Sequence, residues 1–192
     1  DMELLISLKP DLIVAWRHNS SARQIEMVRQ LGVPVFESDP QTLDSIPESV
    51  LRLGRLMGTD AAAQKEAAQL RQKLAGLRAQ YANRAPVRTF YQVWDKPLYT
   101  LSGKHIITDA MHLCGGENIF DKLTVTAPIV TLESVLQENP EVIIATAEKN
   151  YGGVALWKPY GTLHAVRSNN LFTLDGHLLN RAGPRMIQGT AA

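Results

Sequence analysis

His105, Asp109 and His112 are the residues whose types and spacing first suggest chemistry. At i, i+4 and i+7 they can share one helix face. Zinc accepts such ligands, with a fourth supplied from elsewhere. The same residues also suit ordinary exposed helix positions, so a metal-dependent enzyme stands only as a rival reading. Other catalytic signatures are absent: there is no Gly-x-Ser-x-Gly, no His-Glu-x-x-His, no Walker loop and no Gly-x-Gly-x-x-Gly. Ser102-Gly103-Lys104 reads as a turn carrying a cation. No carboxylate pair shows acid/base spacing. Missing motifs do not exclude an enzyme, but nothing here argues for one, and the expectation is a binding protein, not an enzyme, with no metal and no cofactor of its own.

Binding residues gather where an α/β sheet would use them. Open parallel sheets bind ligands in the loops beyond the carboxyl ends of their strands. Trp16 and Arg17 directly follow the first strand candidate, Leu12 to Ala15. Trp94 and Tyr99 flank the turn after the strand candidate Val87 to Trp94. His177 and Arg181 fall in a segment, Asp175 to Arg185, that reads as a loop after the strand Leu171 to Leu174. Aromatic side chains at such positions offer rigid apolar area suited to a large flat ligand. Core or surface packing would explain any one of them alone.

The elements that must position these residues begin with a repeat. Glu3-Leu-Leu-Ile-Ser-Leu-Lys-Pro-Asp-Leu-Ile-Val-Ala returns as Glu133-Ser-Val-Leu-Gln-Glu-Asn-Pro-Glu-Val-Ile-Ile-Ala. Each copy is a short helix, a proline that stops it (Pro10, Pro140) and a β-branched run that reads as a buried parallel strand. Glu3 and Glu133 open the two helices, where exposed amides and the helix dipole favour a carboxylate. If the two copies occupy equivalent surfaces, the same acids can face a symmetric dimeric partner.

Between the copies lie two helix candidates, Ala22 to Leu31 and Thr42 to Met57, around a strand at Val33 to Phe36. Ser20 or Ser21 would cap the first of these helices. From Thr59 to Asn83, Ala63, Ala67, Leu70, Leu74, Leu77 and Tyr81 recur at spacings of three and four, one apolar stripe on a long helix. Such a helix reaches roughly 33 Å. Later come a helix from His105 to Leu113, stopped by Gly115-Gly116, a Gly-rich loop at Tyr151-Gly152-Gly153, a short helix near Trp157, and a helix start at Pro184. The expected class is α/β: two Rossmann-like lobes with parallel sheets, 1–58 and 84–192, joined by one long backbone helix, 59–83.

Composition narrows the partners. With 192 residues, 45% apolar, and a formal net charge of +1, the chain can build real cores but lacks the basic excess of a nucleic-acid binder. No apolar run approaches the roughly 20 residues that span a bilayer. Cys114, the single cysteine, admits no internal disulfide and no multi-cysteine metal site.

Leu8-Lys9-Pro10-Asp11-Leu12-Ile13-Val14-Ala15-Trp16-Arg17, Leu113-Cys114-Gly115-Gly116-Glu117-Asn118-Ile119-Phe120 and Arg181-Ala182-Gly183-Pro184-Arg185 resemble the periplasmic cobalamin-binding proteins of ABC importers. These form a BtuF-like group within the helical-backbone (class III) substrate-binding proteins. The resemblance implies a corrinoid held between two lobes and delivered to a permease dimer, with haem or a ferric siderophore as the alternative cargo. It matches Trp16 and Tyr99 to cleft aromatics and His177 and Arg181 to cleft polar positions, with Trp94 nearby, and Glu3 and Glu133 to glutamates that dock on the permease; Arg17 joins the ligand candidates by its place after the first strand. It also implies an incomplete N-terminal lobe, with further βα segments expected before Asp1. Three positions depart from the family pattern. Ala127 or Pro128 stands for an aromatic, His177 for an aspartate, and Cys114 matches a cysteine whose disulfide partner would lie past Ala192.

Overall fold

A proline that ends a helix leaves the residue before it few conformations, and in this chain both copies of the repeat choose the same one. The computed structural model describes residues 2–16, 22–146 and 153–191. The first helix, α1 (Met2–Ser7), ends at Lys9, whose φ is +44° immediately before Pro10. Its counterpart α6 (Leu132–Glu138) ends at Asn139, also at φ +44°, immediately before Pro140. The left-handed residue is a common helix stop, and it turns the chain sharply into β1 (Ile13–Ala15) and β7 (Val142–Thr146). Asn139 is well suited to that conformation, and its Oδ1 also accepts a hydrogen bond from His164 N at 2.9 Å.

The chain divides into two units, one running to Pro40 and the other from Gln41. In the first, β1 pairs in parallel with β2 (Val35–Glu37), Ile13 opposite Val35. Parallel neighbours need a crossover, and α2 (Ala22–Gln30) supplies it, burying Ile25 and Val28. Arg29 reaches back to Glu37 at 2.6 Å. The serines expected to cap α2, Ser20 and Ser21, lie outside the described residues.

The second unit begins with α3 (Ser45–Leu56) and α4 (Asp60–Tyr81). The expected stripe is the buried face of α4 over Ala63, Ala67, Leu70, Leu74 and Leu77, while its last member, Tyr81, is only half-buried. It packs on α3, part of the segment assigned from sequence to the first lobe, and the pair is fastened outside by Arg78–Asp44 at 2.6 Å and by Arg71–Glu48. Those exposed ion pairs contribute little; the close approach matters more. A Cβ added at the buried Gly54 would stand 2.2 Å from the Ala63 Cβ. Gly54→Ala should therefore destabilise by about 2 kcal/mol, because overpacking outweighs the roughly 1 kcal/mol that alanine gains as a helix former. Urea unfolding measures it; a stabilised variant would contradict the packing.

A four-stranded parallel sheet follows, in the order β6-β3-β7-β8. Its strands are β3 (Val87–Gln92), β6 (Gly116–Asn118), β7 and β8 (Leu171–Leu174). Strand alternation divides the core. Tyr91 faces one side with Leu101, Ile107, Met111 and Ile187, together with Leu43, Ile46, Leu70 and Leu74 of the α3–α4 segment. Phe90 faces the other with Phe120, Val135, Ile143, Trp157 and Leu163. Apolar cover on both faces is the doubly wound α/β arrangement, so α/β with parallel sheets holds in each unit.

Several boundaries differ from the sequence expectation, each for a local reason. The strand expected to run to Trp94 stops at Gln92, and a hairpin of β4 (Trp94–Asp95) and β5 (Leu98–Tyr99) turns away from it. Gly115, at φ +82°, ends α5 (Ile106–Leu113), but Gly116 then enters β6 rather than a loop. The segment Asp175 to Arg185 is not one loop. Asp175 caps α8 (Gly176–Leu179) by accepting from His177 N, and Pro184 opens α9 (Pro184–Thr190). Between β7 and β8 lie a 3-10 turn, Gly153–Trp157, and α7 (His164–Arg167), which had no sequence signal.

Candidate functional site

Because β3 and β8 run in the same direction, their carboxyl ends open on one edge of the sheet, two strand spacings or about 10 Å apart. The structure brings Trp94 and Tyr99 to that edge beyond β3 and His177 and Arg181 to the same edge beyond β8. Trp94 and Tyr99 are direct cross-strand partners in the hairpin. Both are half-buried. The Trp94 indole N–H donates to Lys96 O at 3.1 Å across the turn, which fixes the ring. Leu98, one residue before Tyr99, points the other way and is buried in the core with Phe90 and Trp157. The hairpin thus has an anchored face and an open face, and Tyr99 is on the open one.

His177 is in α8 and exposed, and Arg181 follows the helix, also exposed. Together they give this edge hydrogen-bond donors beside its aromatic surface. In the first unit, Trp16 follows β1 directly and is 41% exposed. Arg17 lies outside the described residues, as do Tyr151 and Gly152 of the expected Gly-rich loop. Glu3 and Glu133 occupy the first turns of α1 and α6 and are exposed, each at the same place in its copy of the repeat.

The buried side of this edge is held by polar side chains that sequence reasoning missed. Gln92, at the end of β3, is fully buried; its Oε1 accepts from Trp157 Nε1 at 2.6 Å and its Nε2 donates to Gly153 O at 3.0 Å. That ties the end of β3 to the turn before β8. Asn118 donates to Leu101 O at 2.8 Å and to Thr108 Oγ1 at 2.9 Å, and accepts from Phe120 N at 2.9 Å. Pairing all of its groups makes its burial tolerable. A buried glutamine at the end of a central strand was the available signal, but its partner lies far along the chain.

The candidate metal set does not assemble. His105 is the N-cap of α5, its Nδ1 accepting from Ile107 N at 3.1 Å. Asp109 Oδ2 accepts from Leu43 N at 2.7 Å, and His112 Nε2 lies 3.4 Å from Asp121 Oδ1. Each of the three side chains thus has a structural partner of its own. Among the described residues no group of three or more His, Cys, Asp or Glu is placed to hold a metal ion. Cys114 caps the end of α5 with its thiol 3.3 Å from Thr190 O on α9. Burial pushes the thiol upward, so it stays protonated and weakly nucleophilic near neutral pH.

A recess of about 630 Å³ opens at the other end of the sheet, where Pro86 precedes β3 and Gly116 starts β6; Arg78, Tyr81, Arg84 and His112 help line it. None of the described residues expected at the ligand borders it. The carboxyl edge remains the better candidate, because ligands of open α/β sheets bind there.

The periplasmic binding protein family model matches residues 1–178. The vitamin B12-binding protein of Vibrio cholerae serotype O1 is 37% identical over 188 residues, covering 97% of this chain and 68% of the relative. The crystal structure of periplasmic vitamin B12 binding protein BtuF of Vibrio cholerae superposes with a TM-score of 0.90 at 35% identity, over 99% of this chain and 74% of that one. The periplasmic heme-binding protein RhuT from Roseiflexus sp. RS-1 superposes with a TM-score of 0.84 at 20% identity, over 98% of this chain and 75% of that one, a likeness of fold alone.

Proposed function

The chain belongs to the periplasmic binding protein family, and from that premise we propose that it captures cobalamin or a related corrinoid in the periplasm and hands it to an ABC importer. The observation that carries this reading is the 37% identity, over 97% of the chain, to a protein named for vitamin B12 binding. The aromatic pair at the carboxyl edge supplies the matching chemistry: a flat macrocycle gains affinity by covering rigid rings. In this reading Trp16, Arg17, Trp94 and Tyr99 contact the corrin, and His177 and Arg181 meet its amides or nucleotide loop. No bond is made or broken. Residues 1–58 and 84–192 are assigned to two lobes and 59–83 to the helix linking them.

Titration calorimetry with cyanocobalamin tests the cargo. Saturable heat supports the corrinoid; no heat and no thermal shift at saturating ligand refutes it. The alternative cargo, haem or a ferric siderophore, has its own visible spectrum. Protein purified from its native host with a haem or ferric chromophore would favour that reading instead.

Glu3 and Glu133 are assigned to the permease. The support is their matching place, in the first exposed turn of two helices that are each followed by a left-handed residue, Lys9 or Asn139, and a proline. Replacing both by alanine should leave cyanocobalamin affinity within about twofold and cut transport at least tenfold, since interfacial charges paired with cations typically cost 2 kcal/mol or more when truncated. Unchanged uptake in the double variant would remove the docking role.

A further inference from the structure

The open face of the hairpin continues into a third strand-like segment. Tyr99 bridges Ile129 in antiparallel fashion. Thr100 N donates to Pro128 O at 3.1 Å and Val130 N donates to Leu98 O at 3.0 Å. Hydrogen bonds on either side of a pair, and none within it, mark the closely spaced kind of antiparallel pair, with Cα atoms about 4.5 Å apart. Direct partners in a sheet point to the same face. Trp94, Tyr99 and Ile129 therefore stand side by side in one row across three chain segments, about 10 Å from first to last. Alternation makes the assignment firm. Leu98 and Val130, the residues bonded to each other beside the pair, both pack into the core with Phe90 and Trp157. Their neighbours Tyr99 and Ile129 must face outward, and Ile129 is 59% exposed.

An isoleucine held outward beside two aromatics, on an edge otherwise carrying His177 and Arg181, stays mostly exposed among the described residues. We infer that Ile129 is a ligand-contacting residue that extends the Trp94–Tyr99 surface and takes the apolar periphery of the corrin ring. The inference rests on the corrinoid reading above and adds one residue, Ile129, to it. The occupant follows from continuity: the row is a single surface, two of its three members already belong to the proposed cargo site, and Ile129 supplies methyl groups rather than a charge or a donor. Ala127, next but one along this segment, is exposed and too small to reach the same surface, so the apolar contribution here falls to Ile129.

The test titrates cyanocobalamin into the full chain and into Ile129→Ser, Ile129→Leu and Tyr99→Ala, with thermal unfolding and light scattering on each. Covering the exposed part of an isoleucine is worth about a tenfold change in Kd. Ile129→Ser is expected to bind about tenfold more weakly with an unchanged unfolding midpoint, and Ile129→Leu to restore most of the loss. If Tyr99→Ala weakens binding and Ile129→Ser does not, this inference falls while the corrinoid reading stands. If the unaltered chain gives no heat, both fall. A dimer that Ile129→Ser dissociates, with ligand affinity unchanged, would make the row a contact between copies and overturn the inference.

Discussion

Replacing Trp94 and Tyr99 together by alanine is expected to weaken cyanocobalamin binding about a hundredfold. A fully covered aromatic side chain buries on the order of 150–250 Å². Both rings are already half-buried against their own hairpin, so about half of that area is left for a ligand. At about 25 cal/mol per Å², with a discount for the ligand and side-chain freedom lost on binding, the pair supplies about 3 kcal/mol, or two decades in Kd. The rings are direct cross-strand partners, so their single effects should not add. The Trp94 indole is also fixed by its bond to Lys96 O, which lowers the ordering cost on binding. The hairpin's anchoring residue, Leu98, is untouched, so the fold should survive. Calorimetry gives the affinity and thermal unfolding the control. A double variant that binds within threefold of the parent chain, at an unchanged unfolding midpoint, would show that the ligand sits elsewhere.

Trp157→Ala should be the most damaging single substitution to stability, at about 4 kcal/mol. Removing a fully buried large aromatic costs about 3–5 kcal/mol through lost transfer energy and the cavity left behind. Here the ring is fully buried, edge-on to Phe90 at a centroid distance of 5.5 Å. Its N–H also satisfies Gln92 Oε1, which would be left buried and unpaired, a further cost of about 1–3 kcal/mol if no water enters. For a chain of this length the unfolding midpoint should fall by about 10 °C. Trp157→Phe separates the two terms: it keeps most of the apolar volume and loses only the donor, so it should cost about half as much. A midpoint that drops by less than about 2 °C in Trp157→Ala would mean that this side of the sheet is not the cooperative core described above. The functional consequence lies at the carboxyl edge. Gln92 links β3 to Gly153 and Trp157, so loosening it should weaken ligand binding indirectly.

Much of this was written locally. The two α-turn-β copies were legible because a proline blocks helix continuation whatever surrounds it, and the structure adds that Lys9 and Asn139 take the same left-handed turn before it. The stripe on α4 was legible because a helical period is a property of consecutive residues; Ala63, Ala67, Leu70, Leu74 and Leu77 are all buried as the spacing required. That Trp94, Tyr99, His177 and Arg181 lie beyond the carboxyl ends of β3 and β8 was legible, since a strand's direction fixes which end its following segment occupies.

Tertiary structure alone decided the rest, where the partner was remote and no period linked it. Asp109 was read with His105 and His112 from spacing, yet its carboxylate accepts from the backbone of Leu43, a partner that no local period announces. Gln92 meets Trp157, and Tyr99 meets Ile129, through strand pairings whose register depends on the whole sheet. Local sequence determines which elements form and which way each side chain leans. Only closure of the sheet determines which side chains then become neighbours, because register is set by the summed burial of two faces rather than by any single stretch of chain.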